Sequence, residues 1–146
     1  MDAKTEKILA ENEQLRIMYD HFMDQYKDES QAFAAINHIG EQVKAPGCKL
    51  IHIEDTVFLI AVTAARMVEM HAMMGGHPTE DEKLKKLDGL LDKLLPMLKE
   101  VDVKIAYTYM PPEKVEAFRS VLEGHKFYER PAEVEGKKYV VFYVEV

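Results

Sequence analysis

Between Lys49 and Met74 the chain reads LIHIE, VFLIAVTA and MVEMHAMM, three runs rich in Ile, Val, Phe and Met, broken only at Asp55-Thr56 and Ala65-Arg66. No other feature constrains the fold as strongly. Residues of these types favour a pleated, half-buried surface. Connections of two residues join neighbouring antiparallel strands, whereas a parallel pair needs a crossover of a dozen residues or more. The segment is therefore predicted to be an antiparallel three-strand meander.

Beyond Met74 the period of the apolar residues changes. After Gly75-Gly76-His77-Pro78, the stretch from Glu80 to about Lys99 sets Leu84, Leu87, Leu91, Leu94 and Leu98 on one stripe, which predicts a long amphipathic helix that Pro96 kinks or ends early. VKIAYTY (Val103 to Tyr109) reads as a strand, and the helix before it favours parallel pairing with MVEMHAMM. Pro111-Pro112 opens a further helix over roughly Glu113 to Glu123, closed by Gly124. The tail EVEGKKYVVFYVEV predicts a turn at Glu135-Gly136 and a strand from Tyr139 to Val144, apolar enough for burial on both faces.

Two helices are expected before the first strand. One runs from about Lys4 to Lys27 with a stripe of Ile8, Leu15, Met18, Tyr19, Phe22 and Tyr26. The other starts behind Ser30, carries Phe33, Ile36, Ile39 and Val43, and stops at Pro46-Gly47. At 146 residues, 47% hydrophobic and 31% charged, the expectation is a single α/β domain over 1–146, with a helical part over 1–45 and a sheet part over 49–146. A net charge of -7 without a basic run argues against nucleic acid and anionic membranes as partners. One cysteine, Cys48, permits no internal disulfide, and the polar start MDAKTEKILAENEQ is unlike a signal peptide, so a cytoplasmic setting is expected.

This order of elements resembles that of the GCN5-related N-acetyltransferases (GNAT) from about Ser30 to Val146. MVEMHAMMGG and the leucine-striped helix are similar to the family's fourth strand and cofactor-binding helix, and VEAFRSVLEGHKFYER to its late helix and the stretch leading to a Gly-Phe pair. In style the chain is similar to the small acetyltransferase-like proteins of tailed bacteriophages. The resemblance implies a mixed, mostly antiparallel central sheet flanked by helices, acetyl-CoA as cofactor and an amine, small or on a protein, as acceptor. It also implies that the strands MVEMHAMM and VKIAYTY splay to hold the pantetheine, with Met73, Met74, Gly75, Gly76, His77, Thr79 and Lys83 around the cofactor.

Acetyl transfer to an amine needs a base for the amine proton and a donor for the charge on the departing thiolate. Glu69 is the candidate base, His71 stands two residues on along the same strand face, and Tyr107 is a candidate donor, with Tyr109 and Tyr128 as substitutes. The family's late-helix tyrosine is absent, Leu122 standing at its position, and Lys126 replaces the glycine before Phe127. The family's phosphate loop, Arg/Gln-x-x-Gly-x-Gly/Ala, is also replaced. Thr79 and Glu82 have capping-box spacing, and Glu80, Asp81 and Glu82 place three carboxylates where a phosphate would need positive charge, with Lys83, Lys85 or Lys86 as the cations at hand.

These departures leave two readings: an acyl-CoA N-acyltransferase, or a GNAT-fold binding or assembly protein without catalysis, such as a phage virion or host-takeover component. The absent first strand would open a sheet edge to a second copy or an assembly partner. His52, Glu54, Glu69 and His71 form two i,i+2 pairs without metal-site spacing, so no metal is expected. Neither serine, Ser30 or Ser120, lies on a strand-to-helix elbow, which removes the hydrolase triad.

Overall fold

A computed structural model describes residues 2–146. Three helices precede the first strand: α1 (Ala3–Glu11), α2 (Glu13–Tyr26) and α3 (Glu29–Gln42). The single first helix expected from the periodicity is divided at Asn12, whose backbone is extended and whose side chain accepts from Leu15 N–H at 3.0 Å. Asp28, not Ser30, caps α3, accepting from Gln31 N–H at 3.0 Å, and Ser30 lies inside the helix. A carboxylate at that cap also meets the positive end of the helix dipole.

The strands are β1 (Cys48–Ile53), β2 (Thr56–Ala64), β3 (Met67–Met74), β4 (Ile105–Met110), β5 (Phe127–Val134) and β6 (Lys137–Glu145), in the sheet order β1-β2-β3-β4-β6-β5. Two-residue turns join the meander as expected, although the first falls at Glu54-Asp55, one residue early, with Glu54 at φ 55. β3 and β4 pair in parallel, and helix α4 (Glu80–Glu100) crosses between them. Pro96 does not end α4, which runs four residues past it. The late helix is shorter than expected: a 3-10 turn over Pro112–Lys114, then α5 (Val115–Val121). Glu135 (φ 51) and Gly136 (φ 80) make the β5–β6 turn, the pair of left-handed residues that a tight hairpin requires. Among the described residues no helix is long and apolar enough to cross a membrane.

Contacts gather into two compact units. The first comprises the described residues up to Ile60 with His71–Thr79. Its core joins Leu9, Ile17, Met18, Tyr19, Ile36 and Ile39 of the helices to Val57, Leu59 and Met73 of the strands. Leu9 is the buried residue of α1, and Ile8, expected on the stripe, is 46% exposed. In the second unit, Ala61–Met70 with Glu80–Val146, α4 buries Leu90, Leu91, Leu94, Leu95 and Leu98, and Phe118 of α5 meets Phe142 edge-on at 4.9 Å. Register then fixes the faces. Ala106 opposes Val144 and Thr108 opposes Phe142, so the α5 side of β4 and β6 is apolar and Tyr107, Tyr109, Tyr139 and Tyr143 point the other way.

Arg119 of α5 grips Glu129 of β5 as a fork, Nε to Oε2 at 2.7 Å and Nη2 to Oε1 at 2.8 Å. That hydrogen bonding lowers the Glu129 carboxyl below its ordinary 4.5. A group depressed by folding stabilises above its unfolded value and loses that contribution as pH falls through the folded one. Glu129→Gln is therefore expected to cost up to about 1 kcal/mol at neutral pH, since the pair is partly exposed. The difference from wild type should shrink in urea unfolding as the pH is lowered from 4.5 through the depressed folded value.

Candidate functional site

Two groups of residues carry the sequence-derived candidates, one in each unit. The first is the turn after β3. Met73 and Met74 are buried, at 3% exposure each, and Met73 belongs to the helix-facing core, so they fill space there. Gly75 N–H donates to the Asp55 carbonyl at 3.0 Å. A Cβ at Gly75 would meet Ile17 Cγ1 at 3.1 Å and Ile17 Cα at 3.4 Å, so this glycine admits α2. Gly76, at φ 78, donates its N–H to the Asp20 carboxylate at 3.1 Å. His77, also left-handed at φ 52, brings Nδ1 to 2.6 Å from Asp24 Oδ1 and Nε2 to 3.6 Å from Asp20 Oδ1.

The backbone donors that the resemblance reserves for a pyrophosphate are engaged: a carbonyl takes one and a buried carboxylate the other. An anion already sits where an anion would dock, so the turn in this conformation does not fit the pyrophosphate of coenzyme A. Lys83 lies in the second unit, bonded to Glu80 at 3.3 Å, and Lys114 approaches the same carboxylate at 2.7 Å. Lys114, with Lys83 behind it, lowers the Glu80 carboxyl. The first turn of α4 holds Glu80, Asp81 and Glu82, and both Lys83 and Lys114 pair with Glu80.

The second group is the tyrosine face of β3, β4 and β6. Glu69 is half-buried and in register with Tyr107, the last pair of a parallel ladder that runs over Met67–Ile105, Val68–Ala106 and Glu69–Tyr107, although β3 goes on to Met74 and β4 to Met110. His71 follows on the same strand face, exposed, and belongs to the first unit. Tyr107 donates its hydroxyl to Thr63 Oγ1 at 2.9 Å. Burial first, and then the charge of Glu69, raise the Tyr109 hydroxyl above its ordinary 10, so it keeps its proton at neutral pH. Tyr107 and Tyr109 meet edge-on at 6.1 Å, Tyr109 and Tyr139 at 6.2 Å, and Tyr107 tilts toward Tyr143 at 5.5 Å. Chemically this face can accept a proton at Glu69 and donate one at Tyr109.

The structure thus places Glu69 and Tyr107 in register, Gly75 on the Asp55 carbonyl, and Gly76 and His77 at Asp20. It adds residues that the sequence did not single out: Asp20, Asp24 and Asp55 at the turn, and Thr63, Tyr139 and Tyr143 on the face. For the tyrosines a signal existed, since 107, 109, 139 and 143 share parity once the Glu135-Gly136 hairpin is placed. For Asp20 none did, because its partner lies 56 residues away. Among the described residues no group of three or more His, Cys, Asp or Glu is arranged to hold a metal.

The fold matches solved N-acetyltransferase structures. A chimera of Vibrio cholerae spermidine N-acetyltransferase SpeG with hSSAT aligns over 90% of this chain and 89% of its own, with TM-score 0.60 and 10% identity. A SpeG point variant from the same organism aligns over 90% and 88%, with TM-score 0.55 and 12% identity. A probable acetyltransferase of the GNAT family from Chromobacterium violaceum aligns over 90% and 80%, with TM-score 0.58 and 12% identity. At such identities the likeness establishes the GNAT fold: a six-stranded, mostly antiparallel sheet flanked by helices. No family model matches the chain, and no curated protein matches it.

Proposed function

We propose that this protein is a GNAT-fold N-acyltransferase that acylates an amine, with Glu69 as the base. The observation that carries this reading is the juxtaposition of Glu69 with Tyr107 at the last rung of the β3–β4 ladder, beside a tyrosine held protonated. Glu69 takes the ammonium proton of the acceptor directly or through a water, which exposes the nitrogen lone pair. Tyr107 positions the acceptor through its ring and its bond to Thr63, and His71 extends the polar face of β3. Acetyl-CoA is the acyl donor that the resemblance implies, and its pyrophosphate would need a contact other than the Gly75 and Gly76 donors, which Asp55 and Asp20 occupy.

Calorimetric titration of the full chain with acetyl-CoA, and with coenzyme A in parallel, tests the reading. Saturable binding in the micromolar range supports it, and silence at millimolar ligand removes it. A second reading has its own observation. Asp20 on Gly76 N–H closes the phosphate-binding turn, as expected if the scaffold persists as a binding or assembly protein, of the phage virion or host-takeover kind, working in the cytoplasm or the particle. Self-association at the β1 edge belongs to that reading, with sedimentation of the pure protein as its check.

A further inference from the structure

Tyr107 makes a contact that its place in the sheet renders unusual. Its hydroxyl donates to Thr63 Oγ1 at 2.9 Å, yet Tyr107 is on β4, Thr63 is on β2, and β3 runs between them. Neighbouring strands are about 4.8 Å apart, so the two backbones are separated by roughly twice that distance. A tyrosine closes such a gap only by lying across the intervening strand. Register fixes where it crosses, because Tyr107 stands opposite Glu69, the last pair of the β3–β4 ladder, on the same face. Thr63, Glu69, Tyr107 and Tyr109 all belong to the second unit.

The crossing ring accounts for the burial of Glu69. On this face Thr63 is exposed, whereas Glu69 and Tyr107 are half-buried. The phenol therefore covers the β2 side of the carboxylate. Tyr109 comes next along the same face of β4, past the last rung, with its ring edge-on to Tyr107 at 6.1 Å and to Tyr139 at 6.2 Å. Burial, and after it the charge of Glu69, raise the Tyr109 hydroxyl, so the carboxylate lies within electrostatic reach of Tyr109.

We infer that Thr63 is a positioning residue: its hydroxyl holds Tyr107 as a strap across β3, which screens Glu69 on the β2 side and leaves the Tyr109 side as the approach to the carboxylate. Thr63 acts through Tyr107 and touches no reacting atom. The strap follows from the geometry, and its use in proton removal rests on the transferase reading. One hydrogen bond favours the closed ring by about threefold to tenfold in population, so removal of either hydroxyl lets the ring swing away.

Carboxyl modification of the full chain by a water-soluble carbodiimide, with glycinamide as the nucleophile, tests the strap without any cofactor. Labelling of Glu69 is followed by peptide mass spectrometry against exposed Glu133. Thr63→Val keeps the β-branched shape and loses the hydroxyl, and Tyr107→Phe keeps the ring. Each is expected to raise labelling of Glu69 about threefold to tenfold and to leave Glu133 unchanged. The double variant should show the same rise as either single one, because both remove one bond. Thr63→Ser, which restores the acceptor, should label at the wild-type rate. In acetyl transfer, Thr63→Val should lower kcat about threefold to tenfold with the KM of the acyl donor unmoved, and Thr63→Ser should recover it. Labelling of Glu69 unchanged by both single variants, multiplied in the double variant, or rising together with Glu133 overturns the inference. Raised labelling in a chain that transfers no acetyl group keeps the strap and removes the transferase reading; transfer with labelling and kcat blind to Thr63→Val keeps that reading and removes the strap.

Discussion

Glu69→Gln is expected to lower kcat for acetyl transfer to an amine by about 10²- to 10⁴-fold, the usual contribution of a positioned general base. Gln keeps the size and the hydrogen-bonding reach of Glu but cannot take a proton at neutral pH. Glu69 is half-buried at the end of a short ladder, and its backbone bonds do not depend on its side chain, so the urea midpoint should move little. The split between kinetic constants separates two jobs. Loss confined to kcat marks proton removal, and a rise in KM marks the loss of a negative partner for the acceptor cation. Glu69→Asp should recover part of the rate, because it restores the proton acceptor at a shorter reach. Wild-type turnover by the Gln variant would take Glu69 out of the chemistry altogether.

Much of this arrangement was legible in the residues because it depends on local rules. Two-residue breaks near Asp55 and at Ala65-Arg66 forced the meander, a helix-length crossover forced parallel pairing of β3 with β4, and Glu135-Gly136 fixed the last hairpin. Strand parity then put Glu69 and His71 on one side of β3. Periodicity failed where caps decide. The apolar stripe continues across Asn12, but its side-chain bond to Leu15 N–H starts a new helix there. Pro96 failed in the opposite sense: tertiary burial of Leu94, Leu95 and Leu98 carries α4 past a residue that disfavours it.

The candidate site divides along the same line. Tyr107 and Glu69 could be paired by register reasoning, whereas the closure of the turn after β3 could not, since it is made by a helix residue distant in the chain. Gly75 and Gly76 read as room for a ligand in one dimension. In three dimensions Gly75 is room for Ile17 and Gly76 is a left-handed turn. The first unit thus uses, for its own packing and polar satisfaction, groups that the resemblance assigns to the cofactor.

Asp20→Ala provides the decisive perturbation of that turn. The carboxylate is buried at 6% exposure, accepts Gly76 N–H, faces Arg16 Nε at 3.3 Å and lies within reach of His77. Its removal frees a backbone donor, deletes a negative charge and leaves Arg16 and His77 to turn toward an incoming anion. Coenzyme A is accordingly expected to bind the variant at least about tenfold more tightly than wild type, the effect of one charge-assisted hydrogen bond no longer contested. The same bond stabilises the fold, so a loss of about 1–3 kcal/mol is expected in urea unfolding, and binding should be read well below the midpoint. Asp20→Asn separates the terms: its carbonyl still accepts Gly76 N–H while the charge is gone, so a gain in affinity there measures electrostatics alone. Tighter binding in both variants assigns the turn as a phosphate site held shut by Asp20. Folded variants that ignore millimolar coenzyme A would show that the turn is structural, and would shift the weight to the binding-module reading.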